Sequence, residues 1–166
     1  MQETDNLKLQ ELFEGDQNDR KKVYESAQEV RELHERDLER RNEVARMMQM
    51  GEVSTTADLY RAAVIFQHGS TPKDFLTAHR LASMAAINGD RGSRWLMAAS
   101  LDRFLMSVGQ PQVYGTQFEH NPEEGKYQLR LPIDDSGILS FEKKFFNVPA
   151  VMERLKQLNG RIQTGG

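Results

Sequence analysis

Four short polar segments of the sequence contain the side chains best suited to chemistry. They combine carboxylates with a histidine, which titrates near neutral pH, and with arginines, whose planar forks of donors bind oxyanions. No sequence motif for a bound cofactor, a phosphate-binding loop or a serine nucleophile accompanies them. This combination is typical of hydrolysis or another proton-transfer reaction on a polar or anionic molecule. The segments are residues 16–20, 67–68, 102–103 and 112–117.

His68 and Asp102 are the candidate acid–base pair. His68 follows the apolar residues 64–66 at a predicted helix end. A histidine there can be a general base or a metal ligand, or it can cap the helix carbonyls as a cation, and the position alone favours capping. Asp102 lies among apolar neighbours, so its carboxylate must be paired or hydrogen-bonded. It either anchors the turn that follows or takes part in proton transfer. His79 has no carboxylate at metal-ligand spacing, so no metal is predicted.

Arg20 and Arg103 are the candidate anion-binding residues. Asp16 and Arg20 are four positions apart, which places them on one helical face. Asp16 can then orient the Arg20 guanidinium, and Asp16, Gln17 and Arg20 together are candidate ligand-binding residues. In the alternative, Asp16 caps a helix and Arg20 forms an exposed ion pair of little energetic weight. The sequence spacing alone favours this alternative.

The segment from Gln112 to Gln117 places hydrogen-bonding groups on both sides of Gly115. Glycine permits close backbone approach by a ligand, or a bulge that redirects its neighbours. Gln112, Tyr114, Thr116 and Gln117 are therefore candidates to orient a substrate. In the alternative, they form a polar ladder on the exposed face of a hairpin.

Helical periodicity predicts a long N-terminal helix. A short helix over residues 7–14 ends at Gly15, and Asp16 is the predicted N-cap of a charged amphipathic helix over residues 18–50. A narrow stripe recurring every three or four positions is expected to pack against the core. The stripe consists of Val23, Ala27, Val30, His34, Leu38, Asn42 and Ala45.

Three shorter helices follow, and a hairpin comes after them. Thr55, Thr71 and Asp90 are the predicted N-caps, and short connections imply antiparallel neighbours. Two strands within residues 112–133 predict a β-hairpin, and short helices follow it. The expected fold is mainly α: a single helical domain over residues 1–160 with a long N-terminal helix, a three-helix core and a C-terminal β-hairpin. Residues 161–166 are predicted to be a flexible tail.

Composition narrows the function class. The 166 residues carry a formal net charge of −3 and include no cysteine. The acidic balance argues against a nucleic-acid partner, and the lack of cysteine excludes disulfides and thiolate metal sites. The chain has no apolar run of about 18 residues, so no membrane span is predicted. The first five residues are polar and acidic, unlike a signal peptide, so a cytoplasmic location is expected.

The four polar segments together resemble a family of bacterial domains of unknown function, which occur as cytoplasmic proteins and as exported lipoproteins. The family pattern runs through DQxxR, QH at a helix end, DR and QxYGTQ, and residues 16–20, 67–68, 102–103 and 112–117 match it in order. Residues 51–53 and 142–144 depart from it, where a Gly-Trp-Pro turn and paired arginines are expected. The resemblance implies one shared polar pocket but no particular reaction.

Two functions fit these residues. In the first, a pocket binds an unknown anionic or polar small molecule or peptide without a cofactor. There, His68 and Asp102 would serve as acid and base, Arg20 and Arg103 would hold the anion, and segment 112–117 would orient the substrate. In the alternative, the chain is a non-catalytic interaction, regulatory or immunity-type module. Its polar residues are then structural, and the charged helix 18–50 contacts a protein partner. The sequence leaves open whether the chain is an enzyme.

Overall fold

The computed structural model describes residues 4–164, with side chains described as far as residue 160. The mainly helical class, the C-terminal hairpin and the single compact domain are confirmed. No helix in the described part of the chain is both long and apolar enough to cross a membrane. The elements are α1 (Leu7–Asp19), α2 (Ala27–Gln49), α3 (Thr56–Gln67), α4 (Pro72–Ile87), α5 (Ser93–Ser107), β1 (Phe118–Asn121), β2 (Lys126–Leu129), α6 (Ser140–Phe145) and α7 (Val151–Thr164).

Most of the buried apolar side chains of the core come from α3, α4 and α5, and α4 packs against both of the other two helices. Buried alanines on these helices allow close approach of the backbones. Capping boxes begin two of the helices: Thr55 with Asp58 for α3, and Thr71 with Asp74 for α4. Each box satisfies two backbone N–H groups that the helix itself leaves unpaired. These helix starts are therefore as predicted.

Helix α1 is longer than predicted, because Gly15 does not end it. The helix continues to Asp19, so Asp16 lies in its last turn and is not the N-cap of α2. A glycine inside a helix costs only about 1 kcal/mol relative to alanine, and packing can offset this. Leu9, which is fully buried, packs α1 into the main apolar core, to which Ile65 of α3 also belongs.

Helix α2 begins later and buries a different face from the predicted one. Ser26 is its N-cap, with Glu29 completing a capping box, and the first helical residue is Ala27. The predicted stripe was wrong, since Val30 and Leu38 are 38% and 51% exposed. The buried face instead consists of Asp37, Arg41, Val44 and Met47. Its first half is ionic, because Asp37 pairs with Arg20 at the end of α1 and Arg41 contacts the His68 carbonyl and Asp74.

The hairpin is shorter than predicted and begins six residues later. Strand β1 pairs antiparallel with β2 from Phe118 opposite Leu129 to Asn121 opposite Lys126. Residues 112–117 are not a strand and form one isolated bridge, between Gln112 and Ile133. The last helix continues to residue 164, so the predicted tail is helical over residues 161–164, and residues 165–166 lie outside the described part of the chain.

Asp19 connects the end of α1 to α2. Its carboxylate accepts hydrogen bonds from Arg36 Nε at 3.0 Å, from Arg40 Nη2 and from Lys22 Nζ at 3.0 Å. Burial by itself raises the pKa of Asp19, but the three cations outweigh this effect and hold the pKa well below its usual range. The carboxylate is therefore ionised and stabilises the corner between the two helices.

Asp19→Asn should lower the free energy of unfolding by about 1–3 kcal/mol at pH 7, because a neutral amide cannot balance the arginines. The difference should depend on pH. The folded-state pKa lies below the unfolded value of about 3.9, so the stabilisation is complete above about pH 5 and declines as the pH falls below about 4. Urea unfolding of both proteins between pH 3 and pH 7 measures this difference.

Glu43→Gln is the matched control for this comparison. It removes an exposed carboxylate that pairs with Arg46 at 2.9 Å, and it changes the net charge by the same amount. Its effect should be small at every pH, since an exposed pair contributes little. Equal losses of stability in the two variants would contradict the role assigned to Asp19.

Candidate functional site

The centre of the candidate site is a hydrogen-bonded pair between His68 and Asp16. His68 is the C-cap of α3, and Asp16 lies in the last turn of α1. The imidazole Nδ1 lies 2.9 Å from each oxygen of the Asp16 carboxylate. Asp16 is 1% exposed, whereas 20% of the His68 side chain is exposed. The buried carboxylate therefore orients the ring, whose other nitrogen, Nε2, forms no hydrogen bond within the described part of the chain.

Arg20 and Gln17 complete the surroundings of Asp16. Gln17 Nε2 donates to the Asp16 carboxylate at 2.8 Å, and Arg20 Nη2 lies 3.3 Å from it. Arg20 also donates to Asp37 of α2 at 2.6 Å. Arg20 is thus held between two carboxylates and neutralised by them. The predicted Asp16–Arg20 pair is present, and it forms part of a network between helices.

Arg103 is the cation of the site that has no carboxylate partner in the described part of the chain. Its Nε donates to Gln117 Oε1 at 2.9 Å, and its Nη1 donates to the backbone carbonyl of Gln67 at 2.9 Å. Burial lowers the pKa of Arg103, and repulsion from Arg20 and Arg130 lowers it further. The guanidinium is therefore fixed in place while its positive charge remains unbalanced.

His68, Arg20 and Arg103 line one open cleft of about 640 Å³ between α2 and the end of α3. Arg41 of α2 forms part of the wall, where its Nη1 donates to the His68 carbonyl at 3.1 Å and its Nε lies 3.7 Å from Asp74. Leu33, His34 and Leu38 supply the α2 side of the cleft. The cleft combines a positioned histidine and an unbalanced cation with an apolar wall.

Asp102 is placed differently from the prediction that pairs it with His68. It is fully buried, and it does not line the cleft. Its carboxylate accepts backbone N–H bonds from Val113 at 2.8 Å, Tyr114 at 3.0 Å and Thr116 at 3.0 Å, and the Thr116 hydroxyl donates at 2.7 Å. These bonds occupy the carboxylate fully. This geometry corresponds to the anchoring alternative, and the carboxylate that contacts His68 is Asp16.

The segment that follows α5 folds around Asp102 and does not face the cleft as a whole. Gln112 is fully buried; its amide donates to the carbonyls of Gln117 and Arg130 and accepts from Gln117 N–H at 2.9 Å. Tyr114 is buried, with its ring 5.2 Å from that of Phe146. Gln112, Tyr114 and Thr116 thus lie in a buried network, and Gln117 is the member that reaches Arg103.

Gly115 permits the tight path of this segment. Its φ of +76° lies in the left-handed region, which side chains with a Cβ rarely adopt. A Cβ at this position would lie 3.0 Å from Val151 Cγ2 and 3.3 Å from Ile133 Cδ1. The glycine therefore serves close packing against α7 and against the chain that follows the hairpin, not the approach of a ligand.

Hydrogen bonds join all four polar segments. Asp16 connects the first to His68, and Arg103 connects to the second through the Gln67 carbonyl. Asp102 and Arg103 together hold residues 113–117. The predicted set is therefore contiguous, but it divides into a cleft-facing half and a buried half.

Sequence reasoning missed Asp37, Arg41 and Arg130. The signal for the first two was available, because residues 37, 41, 44 and 47 form a helical stripe whose apolar end is Val44 and Met47.

Among the side chains that the structure describes, no three potential metal ligands are grouped to hold an ion. Comparisons with family models, curated proteins and solved structures found no match to the chain.

Asp102→Asn should destabilise the fold by about 2–4 kcal/mol. The amide that replaces one carboxylate oxygen would point its own donors at backbone N–H groups, which leaves buried donors unsatisfied. Denaturant unfolding at pH 7 measures the loss. The matched control is Asp134→Asn, since Asp134 accepts a backbone N–H from Ser136 at 3.2 Å but is exposed, and we expect little change there.

If Asp102→Asn kept full stability, the carboxylate would not be the anchor of residues 113–116. If Asp102→Asn kept its stability but lost ligand binding, Asp102 would instead act directly on the bound molecule.

Proposed function

We propose that the chain binds a small anionic or polar molecule or peptide in the cleft, where His68 acts as a general acid–base group in a hydrolase-like reaction. The observation that carries the proposal is the contact of His68 Nδ1 with the buried Asp16 carboxylate at the wall of an open cleft. A buried carboxylate behind a partly exposed imidazole is an arrangement suited to proton transfer.

The role of Asp16 follows from the chemistry of imidazole. When Nδ1–H donates to the carboxylate, the neutral ring has its lone pair on Nε2, which can take a proton from a water or a hydroxyl group. The ring that results is positively charged, and the carboxylate stabilises it. Gln17 and Arg20 hold Asp16 in place, so neither needs to contact the bound molecule.

Arg103 is the proposed contact for the anionic group. Arg20 and Arg41 each have a carboxylate nearby, at 2.6 Å for Asp37 and 3.7 Å for Asp74, whereas Arg103 contacts neutral acceptors. A fixed guanidinium with unbalanced charge in a partly desolvated site attracts an oxyanion. Of the two arginines in the sequence-based hypothesis, the geometry thus favours Arg103.

The interaction module remains a second candidate because of the exposed start of α2. Within residues 27–35, every side chain except half-buried Leu33 is exposed. A helix that projects in this way can contact a protein partner through its charged faces.

We also keep membership of the bacterial family and a cytoplasmic location as proposals. The hydrogen bonds among the four segments support a shared polar site.

His68→Gln should abolish hydrolysis of a chromogenic probe while keeping the fold. The probes are p-nitrophenyl phosphate and p-nitrophenyl acetate, and the expected loss in kcat for the ester that is hydrolysed is at least about 100-fold, the usual contribution of a positioned general base. Glutamine can still donate to Asp16, so the melting temperature should change little. His79→Gln is the matched control, because His79 contacts a backbone carbonyl away from the cleft.

Binding of the anion is measured separately, by titration with inorganic phosphate. Arg103→Gln should weaken phosphate binding about tenfold, which corresponds to one charge-assisted hydrogen bond. Arg80→Gln, which removes an exposed arginine of α4, should not weaken it. The proposal is wrong if neither ester is hydrolysed above background and the Arg103 and Arg80 variants bind phosphate equally. That result would favour the interaction module.

A further inference from the structure

A second cavity, of about 350 Å³, also has Arg103 in its wall. Ser70 and Arg103 line both cavities, so the two spaces adjoin at these residues. The start of the hairpin forms part of the wall of the second cavity. Its walls are Ser70, Phe75, Arg103, Met106, Ser107, Gln117, Phe118 and Arg130.

The second cavity differs from the first in its charge. Two arginines line it, Arg103 and Arg130, and no acidic residue does. In the part of the chain that the structure describes, neither arginine forms an ion pair. Their mutual repulsion contributes to the lowered pKa of Arg103. An oxyanion between the two guanidinium groups would remove this repulsion and gain attraction to both.

The remaining lining residues suit the same ligand group. The Gln117 amide accepts from Arg103 at 2.9 Å and donates to the Ala99 carbonyl at 3.1 Å. Gln117 therefore holds the Arg103 guanidinium in place and does not compete with the ligand. The Ser70 hydroxyl adds a donor at the junction with the cleft. Phe75 and Phe118 provide apolar surface beside the charged groups.

We infer that the Arg103–Arg130 cavity is a second oxyanion site, and that the molecule bound in the cleft carries two anionic groups. One group lies beside His68, and the other lies between Arg103 and Arg130. Carboxylate and phosphate share the geometry that a guanidinium fork recognises. The ligand class is therefore a small dicarboxylate, a phosphorylated acid or a bisphosphate. The two-group ligand rests on the proposed function, whereas the second oxyanion site can be tested independently.

The test is a titration with inorganic phosphate, and with acetate in parallel, followed by the backbone amide signals of uniformly ¹⁵N-labelled full chain. Amides of residues 106, 107 and 118 report on the second cavity, and those of residues 33, 34 and 69 report on the cleft. We expect both groups of signals to shift and to saturate. Arg130→Gln should weaken the second event about tenfold and leave the first within about twofold. The tighter of the two anions identifies the preferred group.

Arg80→Gln is again the control, because it removes the same charge from an exposed helix position without lining either cavity. The inference is overturned if signals 106, 107 and 118 do not move, or if the Arg130 and Arg80 variants weaken the second event equally. Either outcome leaves the cleft titration and the His68→Gln hydrolysis result intact, so the failure of the second site is distinguishable from the failure of the proposed function.

Discussion

The adjacent residues Asp102 and Arg103 impose the constraint on which the rest of the site depends. Neighbouring side chains on a helix point about 100° apart, so one position of α5 faces the buried segment 112–117 while the next faces the cleft. The Asp102 carboxylate fixes three backbone N–H groups, and the segment then delivers Gln117 to Arg103. The path of the chain after α5 and the position of the cleft cation are thus set by one pair of residues.

A second feature of the molecule is that ionic contacts replace apolar packing where α1 meets α2. Asp16, Asp19 and Asp37 are buried, and they pair with Arg20, the C-cap of α1, and with arginines of α2. Removing charges from water is costly, so such a joint is stable only when every carboxylate has close, well-oriented donors. The benefit to the site is rigidity, since the same network holds the carboxylate that orients His68.

The sequence predicted best those features that are encoded locally. The capping boxes at Thr55 and Thr71 identify two helix starts, because donor and acceptor lie within four residues. The contact of His68 with Asp16 spans 52 positions, and it depends on α1 packing beside α3. Helical periodicity gave a wrong prediction for α2. It selected a weak apolar stripe, whereas the buried face begins with the charged residues Asp37 and Arg41. Sequence hydrophobicity does not distinguish a buried ionic face from a solvated one.

The distribution of carboxylates gives Arg103 its significance. An aspartate lies within ion-pair distance of each of four structural arginines, Arg20, Arg36, Arg40 and Arg41. Arg103 contacts an amide oxygen and a backbone carbonyl instead, which orient a guanidinium without neutralising it. Desolvation of an unbalanced cation costs free energy that a structural arginine would avoid by pairing. Under the proposed function, an anion bound at Arg103 would recover this cost, and the unbalanced charge would then be the source of affinity.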